Sequence, residues 1–245
     1  MKPFVSIIIP TYQNCNRLRD ALNSVLSQTY NNYEVLIMDD GSTDGTEEMV
    51  NSFKDSRIFY YWNKNSGGPA KPRNRGIKFS KGNWIAFLDS DDVWKVDKIK
   101  KQVNFMKNNN LQASHTSYEI FDNKNQIVAV RIARNFYEIK DLLKSCDIGL
   151  STVMLKKEII FDNFKFPDLK TKEDFVVWLN LLKNEIIIGG LDEKLTIWKK
   201  TDSSLSSSIL QKLTDGYSVY HKYMKFNSIK SIYYLLCLSI NFLKK

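Results

Sequence analysis

The sequence predicts an α/β fold in which a mostly parallel sheet has helices on both faces, followed by a helical C-terminal tail. Short apolar runs alternate with amphipathic stretches from the N-terminus to about residue 110. Repeated strand–helix units joined by short turns favour a parallel sheet. The chain has 245 residues, 43% of them hydrophobic, which suits one α/β domain with an appendage. We expect an α/β half over residues 1–110, a less regular half of the same domain over 111–208 and a helical tail over 209–245.

The first half divides into four strand–helix pairs. The predicted strands are Val5–Ile9, Tyr33–Asp39, Ile58–Trp62 and Trp84–Leu88, and the predicted helices are Arg17–Gln28, Thr46–Phe53, Ala70–Phe79 and Val93–Met106. Apolar residues that recur three or four positions apart, such as Leu18 and Leu22, predict the helices. In sheets of this kind, ligands bind beyond the carboxyl ends of the strands. The segments that directly follow strands, Pro10–Asn14, Asp39–Gly45 and Asp89–Asp92, are therefore the first candidates for a site.

Beyond residue 110 the hydrophobic pattern is less regular. The predicted strands are Ala113–Phe121, Gln126–Val130, Thr152–Leu155 and Leu195–Lys199, with a helix at Phe175–Leu182. The residues from Ser208 to the end of the chain have a helical pattern throughout. The sequence contains no internal repeat and no low-complexity linker that would separate this tail from the domain.

The apolar stretch Ile229–Leu243 lies within a basic segment, because Tyr217–Lys245 contains five lysines and no acidic residue. The stretch is shorter than the ~20 residues that a helix needs to cross a bilayer. With lysines at both ends, it is suited to lie in the interface of an anionic membrane. A helix that packs on the domain or on a second copy of the chain fits the same pattern, and the sequence leaves these alternatives open.

The formal net charge of +9 favours polyanionic partners, which include nucleic acid, anionic membranes and phosphorylated substrates. A nucleic-acid-binding protein is expected to carry a basic stripe with interleaved aromatic residues, whereas here five lysines cluster in an apolar tail. The three cysteines are far apart in the chain, which indicates a reducing compartment and no structural zinc. The run Val5–Ile9 is too short for a secretion signal, so we expect a cytoplasmic protein.

Three carboxylates lie within four residues at a predicted strand end, in Asp89-Ser90-Asp91-Asp92. Like charges this close disfavour each other's ionised forms unless a positive group offsets them. A divalent cation does so, and Mg²⁺ typically shares one or two protein carboxylates with substrate phosphates. The same acids are equally suited to begin the predicted helix Val93–Met106, where they would favour the helix dipole.

A second acidic cluster, Asp39–Asp44, also follows a strand directly. Its carboxylates can accept hydrogen bonds from a nucleoside base or ribose, and Gly41 lets the chain turn tightly and approach a ligand. An ordinary polar turn, in which Thr43 or Asp44 caps the next helix, explains the same residues.

Two further segments are compatible with a site. The stretch Asn65–Ile77 leads from a Gly-rich turn into a helix with three cations, including Arg73, and such groups bind phosphate. A solvated basic helix face has the same pattern. Glu173 and Asp174 precede the apolar helix Phe175–Leu182, and Asp174 is suited either to cap that helix or to act as a general base.

Taken together, these motifs resemble the family 2 glycosyltransferases of the GT-A fold. The resemblance is dense from Pro3 to Asp97, and its most specific residues are Val5–Asn14, Asp39–Ser42 and Asp89–Asp92, in this order and spacing. It returns at Glu173-Asp174 with Trp178-Leu179, and at Trp198-Lys199 followed by Ser203-Ser204-Leu205-Ser206. The chain departs from the commoner family pattern with Pro69 and Pro72 before Arg73, and with Trp198-Lys199 where Tyr-Arg is frequent.

The resemblance implies a nucleotide-diphosphate sugar as the donor, commonly a UDP-sugar, bound by the α/β half. Thr11 and Tyr12 are expected to line the nucleotide-base pocket, and Asp39 or Asp40 to contact the base. Arg73 matches the family's basic position after the Gly-rich turn.

The resemblance also implies an inverting, metal-dependent transfer. Asp89 and Asp91 correspond to the family's DxD motif, in which the first acid usually meets the ribose and the second usually holds Mn²⁺ or Mg²⁺. Asp174 corresponds to the catalytic base. The second half, 111–208, is expected to bind the acceptor.

The family context implies bacterial O-antigen, capsule or lipooligosaccharide synthesis at the inner face of the cytoplasmic membrane. The expected acceptor is a saccharide or a polyprenyl-diphosphate-linked saccharide, and an oligomer is possible. Two rival hypotheses are a nucleotidyltransferase of similar fold, which would release pyrophosphate from a triphosphate, and a basic protein that binds nucleic acid.

Overall fold

The computed structural model of the chain describes residues 4–160, 164–200 and 209–243. Within them, nine strands form one sheet in the order β3-β2-β1-β4-β8-β6-β9-β5, with β7 paired to β6 beside this path. The strands are β1 Val5–Thr11, β2 Tyr33–Asp39, β3 Ile58–Trp62, β4 Trp84–Phe87, β5 Val93–Trp94, β6 Ala113–Phe121, β7 Ile127–Arg131, β8 Met154–Lys156 and β9 Ile188–Lys199. The helices are α1 Cys15–Leu26, α2 Thr46–Asn51, α3 Ala70–Phe79, α4 Lys98–Asn108, α5 Ile139–Leu142, α6 Glu173–Lys183, α7 Ile209–Ser218 and α8 Ser228–Leu243.

The sheet is parallel across the first four strands of the chain, as the sequence predicts. Strand β1 pairs in parallel with β2 and with β4, and β2 pairs in parallel with β3. All seven residues of β1 are buried, because a strand inside a parallel sheet is covered on both faces. Beyond β4 the sheet is mixed, since β8 runs antiparallel to β4 and β6 while β9 runs parallel to β6. The predicted α/β fold class is confirmed.

Two hydrophobic clusters cover the two faces of the sheet. On one face, Ile8 and Phe87 pack with residues of α3, α6 and the tail, including Trp178. On the other face, Ile7 and Ile37 pack with residues of α1, α2 and α4. The odd and even residues of β1 therefore serve different cores, which fixes the register of this strand and the position of its carboxyl end.

The predicted helix Val93–Met106 is wrong at its start. Val93 and Trp94 form the short strand β5, which pairs antiparallel with β9, and the helix begins only at Lys98. The Trp94 backbone N–H donates to Ser24 Oγ at 3.1 Å, and its indole N–H donates to the Ser151 carbonyl at 2.7 Å. These long-range partners outweigh the local helical spacing. The acids Asp89–Asp92 consequently do not begin a helix, and that alternative reading of them is excluded.

The tail is helical where it is described, and it packs on the domain through one face. Leu238 is 5% exposed and belongs to the hydrophobic core, while the Tyr220 hydroxyl donates to the Leu143 carbonyl at 2.7 Å. The opposite face of α8 leaves apolar side chains exposed, and these define the apolar stripe: Ile229, Ile232, Tyr233, Leu236 and Ile240. No helix among the described residues has both the length and the apolar character needed to cross a membrane.

Candidate active site

A cleft of about 860 Å³ lies at the carboxyl ends of β1 and β4. It is walled by the segments after these strands and by the N-termini of α3 and α6. Seven residues predicted for the site line it: Thr11, Tyr12, Asp40, Arg73, Asp89, Asp91 and Asp174. Asp39 does not line the cleft. The fold thus gathers side chains that are up to 163 positions apart in sequence, from Thr11 to Asp174.

The end of β1 contributes one buried polar atom without a protein partner. Thr11 is 4% exposed, and its Oγ1 makes no hydrogen bond to any described residue. A buried hydroxyl of this kind costs free energy unless a ligand or water satisfies it. Tyr12, the next residue, is half exposed at the mouth of the cleft. This pair offers a hydroxyl and an aromatic ring to a bound group.

The two acids after β2 have different surroundings. Asp39 is fully buried, and its carboxylate accepts hydrogen bonds from the Ser42 N–H at 2.8 Å and from the Tyr60 hydroxyl at 2.6 Å. Asp40 accepts the Ser66 N–H at 2.9 Å and the Ser66 hydroxyl at 2.8 Å. Asp39 therefore holds the turn in shape, whereas Asp40 joins the turn to the Gly-rich segment at the edge of the cleft.

Gly41 has a positive φ of 96°, and a Cβ placed there would lie 2.8 Å from the backbone nitrogen of Asn65. Only glycine combines this conformation with such a close approach. The sequence pattern of acid, acid and glycine therefore has a structural reason: it brings two loops together beside the cleft.

The three carboxylates of the acidic turn after β4 differ in their partners. Asp92 is 3% exposed and accepts hydrogen bonds from the Ser151 hydroxyl at 2.5 Å and the Lys199 N–H at 3.3 Å. Asp91 faces the cleft, and no other described side chain donates to its carboxylate or pairs with it. Asp89 faces the cleft as well and is ion-paired with Arg73 at 2.7 Å. Asp91 is thus the carboxylate of this turn that remains open to a ligand.

Burial and repulsion among the three carboxylates favour the binding of a positive charge at this turn. Burial, reinforced by Asp89, raises the pKa of Asp91 to about 6. Burial, together with Asp91 and Asp89, raises the pKa of Asp92 well above its ordinary value. A cation bound here would lower both pKa values and relieve the repulsion between the carboxylates.

Arg73 bridges the two acidic segments of the site. It is 4% exposed, and its guanidinium pairs with Asp89 at 2.7 Å and also with Glu173. Burial lowers the pKa of Arg73, but the two carboxylates outweigh this effect and raise it above its ordinary value. Its Nε has no hydrogen-bond partner among the described residues. Arg73 is therefore charged, and it ties the acidic turn after β4 to the beginning of α6.

Asp174 lies in the first turn of α6 and lines the cleft. One carboxylate oxygen accepts the N–H of Phe175 at 2.7 Å. Burial raises the pKa of Asp174, against the opposing effect of Arg73. For the adjacent Glu173, burial raises the pKa to about 7, again against Arg73. Asp174 is consequently a carboxylate with increased proton affinity that faces the cleft, which is what a general base requires.

A divalent cation fits this site only as a partner of a bound ligand. Among the described residues, no group of three histidine, cysteine or acidic side chains is close enough to hold a metal. Mn²⁺ or Mg²⁺ completed by substrate phosphates needs one or two protein carboxylates, and Asp91 supplies one. The residues present thus fit a cation that enters with a phosphate ligand.

Several lining residues lie outside the segments that the sequence analysis assigns to the site, among them Arg17, Tyr118, Ser151 and Thr196. Asn14, Glu173 and Trp198 belong to those segments but have no predicted role of their own. Glu173 has a local signal because it is adjacent to Asp174. Ser151 has none, since it reaches the site from a single helical turn, Leu150–Thr152, in an irregular part of the chain.

Lys199 lies where arginine is frequent in the family pattern, and its side chain has a partner in the structure. Its ammonium group pairs with Asp20 at 2.9 Å, while its backbone N–H contacts Asp92. The segment Ser203-Ser204-Leu205-Ser206, which the sequence resemblance includes, lies outside the described residues.

Comparison with known proteins identifies relatives of this chain. A family model described as "Glycosyl transferase family 2" matches residues 6–156. The chain is 38% identical over 233 residues to "UDP-Glc:alpha-D-GlcNAc-diphosphoundecaprenol beta-1,3-glucosyltransferase WfgD" of Escherichia coli, covering 95% of this chain and 90% of the relative. It is 32% identical to the "putative teichuronic acid biosynthesis glycosyltransferase TuaG" of Bacillus subtilis, covering 100% of this chain and 98% of the relative.

Two solved structures share the fold. S. aureus TarS 1–349 in complex with UDP-GlcNAc matches with a TM-score of 0.77 at 23% identity, over 95% of this chain and 70% of that chain. The mannosyltransferase PcManGT from Pyrobaculum calidifontis, in complex with GDP-Man and Mn²⁺, matches with a TM-score of 0.69 at 14% identity, over 96% of this chain and 70% of that chain. At these identities the likeness shows the fold alone, and it confirms the predicted GT-A class.

Proposed function

The chain belongs to glycosyl transferase family 2 and is a glycosyltransferase, and we propose that it transfers a hexose from a UDP-sugar to a lipid-linked saccharide with inversion of configuration. The observation that carries this proposal is the common cleft of Asp91 and Asp174, in which Arg73 joins their two segments. One carboxylate is open to a cation and phosphate, and the other is suited to accept a proton.

The donor is assigned to the side of the cleft formed by β1, β2 and β4. The unpartnered Thr11 hydroxyl and the exposed ring of Tyr12 would contact the base, with Asp40 at the edge of the same pocket. UDP-Glc appears in the names of two relatives, WfgD and WfaP, at 38% and 36% identity, which favours UDP-glucose. A Mn²⁺ or Mg²⁺ held by Asp91 and the diphosphate would stabilise the negative charge of the departing group.

Asp174 acts as the general base in the proposed reaction. It accepts the proton of an acceptor hydroxyl while that oxygen forms a bond to C1 of the donor sugar. The bond from C1 to the diphosphate oxygen breaks, and its electron pair leaves with UDP. Because attack and departure take place on opposite faces of C1, the configuration inverts and no covalent enzyme intermediate forms. The high proton affinity that burial gives Asp174 favours this transfer.

The acceptor and the cellular location follow from the relatives and the tail. WfgD is named for a GlcNAc-diphosphoundecaprenol acceptor, and such a lipid resides in a membrane. The apolar stripe of α8 would lie in the interface of that membrane, with Lys225 and Lys230 close to anionic headgroups. We assign the protein to the inner face of the cytoplasmic membrane, as a peripheral protein, in the synthesis of a surface polysaccharide.

A direct assay tests the proposal. The purified chain is incubated with UDP-glucose, UDP-GlcNAc or GDP-mannose, each with GlcNAc-diphosphate-alkyl as acceptor, and with Mn²⁺ or EDTA. We expect UDP release and a disaccharide only with a UDP-sugar and Mn²⁺, and NMR should show that the anomeric configuration is inverted. A retained configuration would contradict the assigned role of Asp174, and full activity in EDTA would contradict that of Asp91.

A further inference from the structure

Three lysines form a basic rim beside Asp174, and we define this rim as Lys170, Lys172 and Lys212. Lys170 and Lys172 line the cleft in the loop before α6. The Lys172 side chain lies against α7, where a Cβ on Gly216 would be 3.7 Å from its Cε. Burial lowers the pKa of Lys212 of α7, and the positive charge of Lys172 lowers it further. The ammonium groups of Lys172 and Lys212 are thus close enough to repel each other.

None of the three lysines of the rim forms an ion pair with another described residue. Asp174 is near enough for Lys172 to lower its pKa, so its carboxylate offsets only part of the charge of the rim. Clustered cations without counter-charge disfavour the folded state. An anionic ligand with two phosphates would relieve that repulsion through charge-assisted hydrogen bonds.

The rim is held in place by a buried hydrogen-bonded contact. The Thr171 N–H and hydroxyl both donate to one carboxylate oxygen of Asp215, each at 2.9 Å. The other oxygen accepts the Gln211 amide at 2.9 Å, and Asp215 is 6% exposed. The loop with Lys170 and Lys172 is therefore anchored to the helix that carries Lys212.

We propose that the basic rim binds the diphosphate of a lipid-linked acceptor, an inference that rests on the proposed function. Lys172 is two residues before Asp174, so a sugar whose hydroxyl reaches Asp174 can direct its anomeric diphosphate towards the rim. An exposed apolar side chain lies next to the rim: Lys212 Nζ is 5.3 Å from the centre of the Phe242 ring, and Phe242 is 65% exposed. The lipid chain would follow this surface, while the donor diphosphate lies at Asp91.

Two acceptors that differ only in charge test the proposal. One is GlcNAc-diphosphate-alkyl, and the other is a neutral GlcNAc glycoside with the same short alkyl chain, both soluble and used without membranes. The measured quantity is the ratio of kcat/KM for the charged acceptor to kcat/KM for the neutral one. We expect Lys172→Ala and Lys212→Ala each to lower this ratio about tenfold, the effect of one lost charge-assisted hydrogen bond. Lys212→Arg should restore most of the ratio.

Lys183→Ala is the matched control, because this exposed lysine lies at the far end of α6 and should leave the ratio unchanged. An equal ratio in the rim variants and the control would overturn the proposal. Loss of UDP affinity in the rim variants with an unchanged ratio would assign the lysines to the donor. Loss of binding to phosphatidylglycerol vesicles with an unchanged ratio would assign them to headgroups. Either result overturns the proposal. If the wild-type protein transfers sugar to neither acceptor, the proposed function itself is contradicted.

Discussion

Replacement of Arg73 by methionine should destabilise the protein by leaving the carboxylates of Asp89 and Glu173 without their ion-pair partner. Removal of one member of a buried ion pair costs about 3–5 kcal/mol, because the remaining charge is uncompensated. The Asp89 side chain is 32% exposed and can be hydrated, whereas that of Glu173 is 8% exposed. Most of the cost should therefore arise at Glu173. We expect Arg73→Met to lower the free energy of unfolding by about 3 kcal/mol at pH 9, where Glu173 is ionised in the wild-type protein, near the lower end of this range.

The loss should depend on pH in a defined direction. Burial raises the pKa of Glu173 and Arg73 lowers it, so removal of Arg73 raises it further. A carboxyl group whose pKa is higher in the folded state stabilises the fold below its unfolded pKa, and this stabilisation is lost as the pH rises through the folded pKa. The deficit of Arg73→Met should consequently be largest at pH 9, above the Glu173 pKa of about 7, and should shrink at pH 7 and pH 5.

Urea unfolding followed by circular dichroism at pH 9 and pH 5 measures this effect. Arg57→Met is the control, because Arg57 pairs with Asp55 at 2.7 Å at the surface, with side chains 29% and 22% exposed. Its loss should cost about 1 kcal/mol or less. The double variant Arg73→Met, Glu173→Gln should recover most of the deficit. If it is as unstable as Arg73→Met alone, the cost comes from lost contact with Phe166, and the reasoning from unpaired charge is refuted.

Three further predictions concern chemistry and membrane binding. Asp174→Asn should lower kcat about a hundredfold, the scale of general-base loss, with unchanged UDP affinity by calorimetry. Because burial raises the pKa of Asp174, the wild-type rate should begin to fall, as the pH is lowered, at a pH above the ordinary aspartate range. Normal turnover in the variant would show that Asp174 is a helix-end residue only. Asp91→Asn should weaken Mn²⁺-dependent UDP binding at least about tenfold, as expected when a charge-assisted contact is lost, and wild-type affinity would disprove the assignment. The double variant Ile232→Asp, Leu236→Asp in the apolar stripe should abolish co-sedimentation with anionic liposomes, since each side chain buried in the membrane interface contributes about 1.5–3 kcal/mol. Ile127→Asp, at an equally exposed position of β7, should bind liposomes as the wild-type protein does. Equal binding of both variants would show that the stripe does not contact the membrane.

The sequence predicts the strands β1, β2 and β4 well because all their residues are buried. The run Val5–Ile9, in which Ser6 is the one polar residue, is typical of a strand that a parallel sheet covers on both faces. The sequence cannot predict β5 in the same way, because Val93 and Trp94 are extended only through their pairing with β9, about 100 residues later. Periodicity reports which residues are buried, and it does not report which partner buries them.

The same distinction limits prediction of the site. Asp91 and Asp92 have nearly the same local sequence and both line the cleft, yet only the Asp91 carboxylate lacks a hydrogen-bond partner among the other described side chains. The Asp92 carboxylate accepts hydrogen bonds from Ser151 and Lys199, which are 59 and 107 positions away in sequence. The pairing of Arg73 with Glu173 spans 100 positions. The motifs identify the chemical groups of the site, whereas the division of roles among neighbouring acids depends on contacts that no local pattern contains.

The hydrogen bonds from Thr171 to Asp215 have a consequence for the exchange of parts between related enzymes. They join the loop that leads to Asp174 with a helix of the tail. A tail taken from a relative without an acid at this place would leave that loop without its anchor, even if its membrane affinity were the same. Under the proposed function, evolutionary or engineered changes in the tail would therefore be constrained by acceptor chemistry, and changes in acceptor preference would require compatible residues in the tail.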